Sequence, residues 1–136
     1  NLTVAENVAL AAHGRGTREP LERVGLANRG GQVAGTLSYG HQRLLEVAMG
    51  LALKPKLLIL DEPTQGLSDA EIENFIGLVR EVAKDATVLL IEHNMPVVME
   101  LAHRITVLDR GMILAEGSPE EIHANAAVQS AYLGTG

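Results

Sequence analysis

The chain has 136 residues, 46% apolar and 21% charged, a balance that suits one folded core of ordinary globular composition. Eleven Lys and Arg against seventeen Asp and Glu leave a net charge of −6, which opposes a surface built to neutralise nucleic-acid phosphates. The absence of cysteine rules out disulfides, thiolate zinc sites and a cysteine nucleophile, and one Phe, two Tyr and no Trp leave few platforms for stacking bases. The strongly apolar stretches Leu57 to Leu60 and Val88 to Ile91 fall far short of the ~20 residues of a membrane-spanning helix, and the cytosol is the expected compartment.

Taken in order, Thr3 and Glu6 form a capping box leading into a helix over Val4 to Ala12, and Pro20 opens a short helix that Gly25 ends. Gly30, Gly31 and Gly35 mark a loop. From the N-cap Ser38, the residues Leu44, Leu45, Ala48, Leu51 and Ala52 recur at helical spacing until Pro55. Leu57 to Leu60 then reads as a strand buried on both faces of a parallel sheet, ending in Asp61, Glu62 and Pro63. Ser68 and Glu71 cap a helix whose Ile72, Phe75, Ile76, Val79 and Val82 trace one face and should lie on the sheet. Thr87 to Ile91 is a second buried strand, followed by Glu92 and His93, and Pro96 suits the first turn of another helix. Arg104 to Asp109 and Met112 to Glu116 flank Arg110-Gly111 as a tight hairpin at the sheet's end, and Ser118, Pro119 and Glu121 start a last helix. The expected organisation is a helical part over residues 1–54 and an α/β part over residues 55–136.

Ligands of open parallel sheets gather beyond the carboxyl ends of the strands, where this chain places Asp61, Glu62 and His93. Adjacent carboxylates there can divide labour, one orienting a magnesium ion through its water shell and the other polarising an attacking water. The plainer reading is that the pair caps a strand and turn, with His93 a hydrogen-bonded structural histidine. The segment Leu37 to Arg43 supplies a hydroxyl, a glycine and a helix start, the recipe for holding an anion at a helix N-terminus; alone it is equally an ordinary capped helix. His13, His41, His103 and His123 show no paired metal-ligand spacing.

In combination, LSYGHQ, LLILDEP, GLSD and a strand ending in EH resemble, in order and spacing, the motifs of ATP-binding-cassette (ABC) ATPases. The resemblance implies a P-loop NTPase-like α/β domain in which Leu37 to His41 is the signature motif and Leu57 to Glu62 the Walker B segment. Glu62 would be the catalytic base, His93 the switch histidine and Ser68-Asp69 part of the D-loop. Ser38, Tyr39, Gly40, His41 and Gln42 would meet nucleotide phosphate, and Asp61 would hold Mg2+ through water. Tyr39 and the tail AEGSPEEI with AYLG are similar to ATP-binding subunits of branched-chain amino acid importers. Two departures stand out: His41 sits where the family usually has glutamine, and no GxxxxGK[ST] loop occurs in the chain.

That family implies ATP and Mg2+, a second ATP-binding subunit in a homo- or heterodimer, and transmembrane permease subunits. It further implies a periplasmic binding protein acting indirectly, no nucleic acid, and a cytoplasmic location on the inner face of the membrane. LTVAENV resembles the segment just after the Q-loop, so the chain is expected to start within the domain; it is expected to be inactive alone, because phosphoryl transfer depends on the positioning and charge neutralisation that the absent GxxxxGK[ST] loop supplies. The alternatives are a non-transport ABC ATPase and a truncated, non-enzymatic module, between which an upstream Walker A in the parent gene would decide.

Overall fold

A computed structural model describes residues 1–133, the side chain of Leu133 excepted, so the final glycine of AYLG lies outside the described residues. The chain forms two compact units, Asn1–His93 and Asn94–Gly136.

The first unit begins with α1 (Val4–Ala11), α2 (Arg18–Arg23) and α3 (Tyr39–Ala52). Thr3 caps α1 reciprocally: its N–H donates to Glu6 at 2.7 Å and its hydroxyl accepts the Glu6 N–H at 3.2 Å. The remaining free amides of the first turn find carbonyls in the glycine loop, Val4 N–H to Gln32 and Ala5 N–H to Gly30, each at 2.9 Å. That loop therefore folds back on the helix it follows by two dozen residues instead of hanging in solvent. Val4, Val8 and Ala12 line the buried face of α1, while Leu44, Leu45, Val47, Ala48, Leu51 and Ala52 line α3, which packs against α1 and α2. Lys54, at φ 50°, takes the left-handed turn that ends α3 ahead of Pro55.

Next come β1 (Leu57–Asp61), α4 (Asp69–Val82) and β2 (Thr87–Ile91), a β–α–β unit with parallel strands in register from Leu57↔Thr87 to Asp61↔Ile91. Leu58 and Leu60 face inward and join the buried set that includes Phe75, Ile76, Leu78, Val79 and Val82 of α4. The expectation of strands buried on both faces is corrected here: Leu57, Ile59, Leu89 and Ile91 are each about half exposed. Side chains alternate across a strand, and these four share the face that stays half open.

The second unit holds α5 (Met95–Leu101), β3 (Ile105–Asp109), β4 (Met112–Gly117), α6 (Pro119–Ala124) and α7 (Ala126–Val128). Arg110 and Gly111, at φ 47° and 78°, make the two-residue turn whose twist matches that of antiparallel strands. The expected hairpin is present, but it forms a two-stranded sheet of its own and does not extend the parallel one. Ile105, Val107, Ile122 and Val128 form its core. Ser118 with Glu121 caps α6, and Asn125 caps α7. No helix among the described residues is long and apolar enough to cross a membrane.

Phe75 is 1% exposed and is the largest side chain fully enclosed. Phe75→Ala should cost about 3–5 kcal/mol in urea unfolding, because the space it leaves is walled by fixed helix and strand residues. A loss under about 1 kcal/mol would mean that the core around α4 collapses freely onto the gap.

Candidate functional site

In-register parallel pairing carries the residues that follow β1 and β2 to the same end of the sheet. The Glu62 N–H donates to the Ile91 carbonyl at 2.8 Å, extending the ladder by one bond. Glu62 then turns at φ 46°, a left-handed conformation that costs a non-glycine residue about 1–2 kcal/mol. This turn brings Glu62 Oε1 to 3.3 Å from His93 Nδ1. Both side chains are substantially exposed, so the contact contributes little to stability and its significance is positional. Asp61 is exposed at the last strand position, and with Glu62 it lines a groove of about 600 Å3 shared with Arg43, Glu46 and Gln65.

A second carboxylate fixes both turns. Glu92 Oε1 accepts the Thr64 N–H at 2.8 Å and also the Thr64 hydroxyl, while Oε2 accepts the His93 N–H at 3.1 Å. Thr64 is 5% exposed and Glu92 half-buried, so the staple is more enclosed than the exposed side chains of Glu62 and His93. Neither Thr64 nor Glu92 was singled out as a site residue from the sequence, although a threonine directly after Asp-Glu-Pro and a glutamate before the histidine were visible there.

The signature-like segment forms a second group. Ser38 caps α3, accepting the His41 N–H at 3.3 Å, and its Oγ lies 2.6 Å from His41 Nδ1. Gln42 donates from Nε2 to the Leu37 carbonyl at 3.1 Å. The Tyr39 hydroxyl accepts from Arg43 Nη2 at 2.8 Å, the guanidinium sits 5.2 Å from the ring centre, and Arg43 also pairs with Glu46 at 2.9 Å. Gly40 is buried, and a Cβ there would lie 2.5 Å from Glu71 Oε1, so a side chain would have to push the capping carboxylate of α4 aside. Gly66, at φ 76°, lies under the Tyr39 ring at a distance that leaves no space for a Cβ.

Ser68 caps α4, and its N–H and hydroxyl donate to Glu71 Oε2 at 2.9 and 2.8 Å. These bonds hold the Glu71 carboxyl below its ordinary value of 4.5, the backbone amide contributing most, then the hydroxyl, with a smaller pull from His41. Asp69 is exposed on the first turn of α4. The structure thus gathers Ser38, Tyr39, Gly40 and His41 against Gly66, Ser68 and Glu71, and separately pairs Glu62 with His93. A larger groove of about 730 Å3, lined by Arg15, Arg23, Lys54 and Asp85 among others, contains none of the residues singled out from the sequence.

Known proteins resemble this chain in sequence and in fold. The family model described as ABC transporter matches residues 1–65, and that described as branched-chain amino acid ATP-binding cassette transporter matches residues 112–136. The fold superposes on the ATP-binding cassette MJ1267 of an ABC transporter with a TM-score of 0.84 at 26% identity, covering 97% of this chain and 63% of that one. A nucleotide-free ATP-binding cassette from an ABC transporter, 24% identical, gives a TM-score of 0.84 over 98% of this chain and 64% of its own, a likeness of fold. The chain has the P-loop NTPase fold of ABC ATPase domains and belongs to the ABC transporter ATP-binding family.

Within that family it is 43% identical over 116 residues to BraF of Pseudomonas aeruginosa, a high-affinity branched-chain amino acid transport ATP-binding protein. It is 44% identical over 116 residues to LivG of Salmonella typhimurium, which carries the same description. Each alignment covers 84% of this chain and 46% of the relative, so the chain spans about half the length of the curated relatives it matches.

Two outcomes follow from the packing. Gly66→Ala should lose about 1–2 kcal/mol in urea unfolding from the left-handed backbone alone and more from the Tyr39 ring; in a Tyr39→Ala background only the ring contribution should vanish. The Glu71 carboxyl has a lower value folded than unfolded, so its stabilisation is present above 4.5 and fades as pH falls through the folded value. Glu71→Gln should therefore be less stable than the parent at neutral pH and converge on it in acid-unfolding profiles as pH falls through the folded value.

Proposed function

We propose that this chain is part of the ATP-hydrolysing subunit of an ABC importer, with branched-chain amino acids as the transported class. The observation that carries the reading is the 3.3 Å approach of Glu62 to His93 beyond the ends of two parallel strands, in a chain that also presents a capped serine at the start of α3. The tail-matching family model and the descriptions of BraF and LivG support the substrate class.

In this reading Glu62 is the general base that takes a proton from the attacking water, and His93 holds the Glu62 carboxylate toward that water and contacts the terminal phosphate. Glu92 and Thr64 keep both turns rigid, so that the base and its partner approach the reacting atoms together. Asp61 would hold Mg2+ through water. A single exposed carboxylate fits an ion that arrives on phosphate with most of its water shell, and among the described residues no group of three or more His, Asp or Glu could hold a metal outright. When bound, such an ion screens the charge of the phosphates.

Ser38 and the amides of Tyr39, Gly40, His41 and Gln42 meet the γ-phosphate held by a second ATP-binding subunit, homo- or heterodimeric. The positive end of the 14-residue α3 adds to this anion site. Ser68 and Asp69 line the same subunit boundary. Residues 1–54 act as the helical, signature-bearing part and 55–136 as the catalytic-core part. The subunit works from the cytoplasmic side of the membrane, docked on transmembrane permease subunits that receive substrate from a periplasmic binding protein.

In the full-length gene product, Glu62→Gln should keep ATP affinity within about twofold and lower turnover by about 10^2–10^4, the usual worth of a positioned base. Phosphate release together with nucleotide-binding calorimetry checks this, and normal turnover in the variant would remove Glu62 from its role.

A further inference from the structure

Ser38 has one hydroxyl proton, and the proposed γ-phosphate contact requires that proton to point at a phosphate oxygen, which can only accept. In the structure the Ser38 oxygen lies 2.6 Å from His41 Nδ1 and also accepts the His41 N–H at 3.3 Å. Which atom owns the proton on that short line decides what Ser38 can offer outward. If Nδ1 is bare, the serine donates to it and presents only lone pairs to an arriving anion. If Nδ1 carries hydrogen, it donates to the serine, and the hydroxyl proton is released toward solvent or phosphate.

We infer that His41 is a positioning residue for Ser38, whose ring proton sets whether the signature serine can donate to the γ-phosphate, and so makes nucleotide sandwiching proton-linked. The inference rests on the reading of Ser38 as the γ-phosphate donor and deepens it. A doubly protonated ring always carries hydrogen on Nδ1 and adds positive charge beside the anion, so both effects act in the same direction. Histidine is the side chain that commonly changes charge near neutral pH.

Acidic groups stand near the ring. Glu71 of α4 lies close enough for the two charges to interact, and Asp69 stands on the same first turn. On the histidine's own helix, Arg43 has its guanidinium engaged by Glu46 and the Tyr39 hydroxyl. The neighbouring Ser68 is neutral and occupied with Glu71. A glutamine here would have a donor amide at every pH, and the chain's departure from the usual residue is therefore a change in regulation at an otherwise shared anion site.

The test uses the full-length gene product carrying Glu62→Gln to slow hydrolysis, with ATP-driven dimerisation measured by light scattering between about pH 5.5 and about pH 8.5. With His41 present, association should tighten by about tenfold toward the acid end relative to the same protein carrying His41→Gln, the size of gaining one charge-assisted hydrogen bond. Both proteins share the ionisation of ATP and of His93, so only the difference between the two profiles belongs to His41. His41→Phe, which can neither take nor give a proton, should lose the acid dependence, and adding Ser38→Ala should flatten the difference. The 15N shifts of the labelled His41 ring should report a protonated Nδ1 in the ATP-bound dimer. Superimposable profiles for His41 and His41→Gln, with dimers forming in both, would overturn the proton link and leave the sandwich reading intact. A failure of ATP to drive association in any variant at any pH would overturn that reading, and this inference with it.

Discussion

The site rests on the register of two strands. Because β1 and β2 run parallel and pair from Leu57↔Thr87 to Asp61↔Ile91, whatever follows them in sequence emerges side by side. A shift of one residue would exchange Leu58 and Leu60 for Leu57 and Ile59 on the inner face. It would also part Glu62 from His93 and move Thr64 away from Glu92. Packing therefore fixes the register and, through it, the chemistry: the same alternation that sends Leu58 and Leu60 into the core carries Glu62 to the strand end.

Around this ladder the polar groups are arranged in two layers. Thr64 is buried and Glu92 half-buried, and the two are hydrogen-bonded to each other, whereas the Glu62 and His93 side chains are exposed. Such a division lets the hydrogen-bonded pair bear the cost of order while the outer pair stays accessible. The signature segment follows the same logic: buried Gly40 seats α3 against the start of α4, beside the exposed Ser38 and the half-buried His41.

Much of the local structure was legible in the sequence because its causes are local. The pairs Thr3–Glu6, Ser68–Glu71 and Ser118–Glu121 mark helix starts through contacts three residues apart, and Arg110-Gly111 marks its hairpin through backbone preference. Asp61, Glu62 and His93 could be placed at strand ends for the same reason. The Thr64–Glu92 staple joins residues 28 apart, and nothing in either neighbourhood announces it. The half-exposed Leu57, Ile59, Leu89 and Ile91 were read as buried because an apolar run signals a strand that wants cover and says nothing about what supplies it. Tyr39 over Gly66 was equally silent, since the glycine reads as a turn residue and not as the floor beneath a ring.

The left-handed backbone of Glu62 has an implication for anyone redesigning this chain. Ranked by thermodynamic stability alone, glycine or asparagine suits that position better, and a sequence optimiser given only the backbone would tend to install one of them. The result would fold more readily and lose the proposed base without any visible defect in the architecture. A glutamate retained where the main chain disfavours it is thus a marker that survives independently of motif recognition, and the same criterion can be applied to other parallel sheets whose strand-end carboxylates have no assigned role.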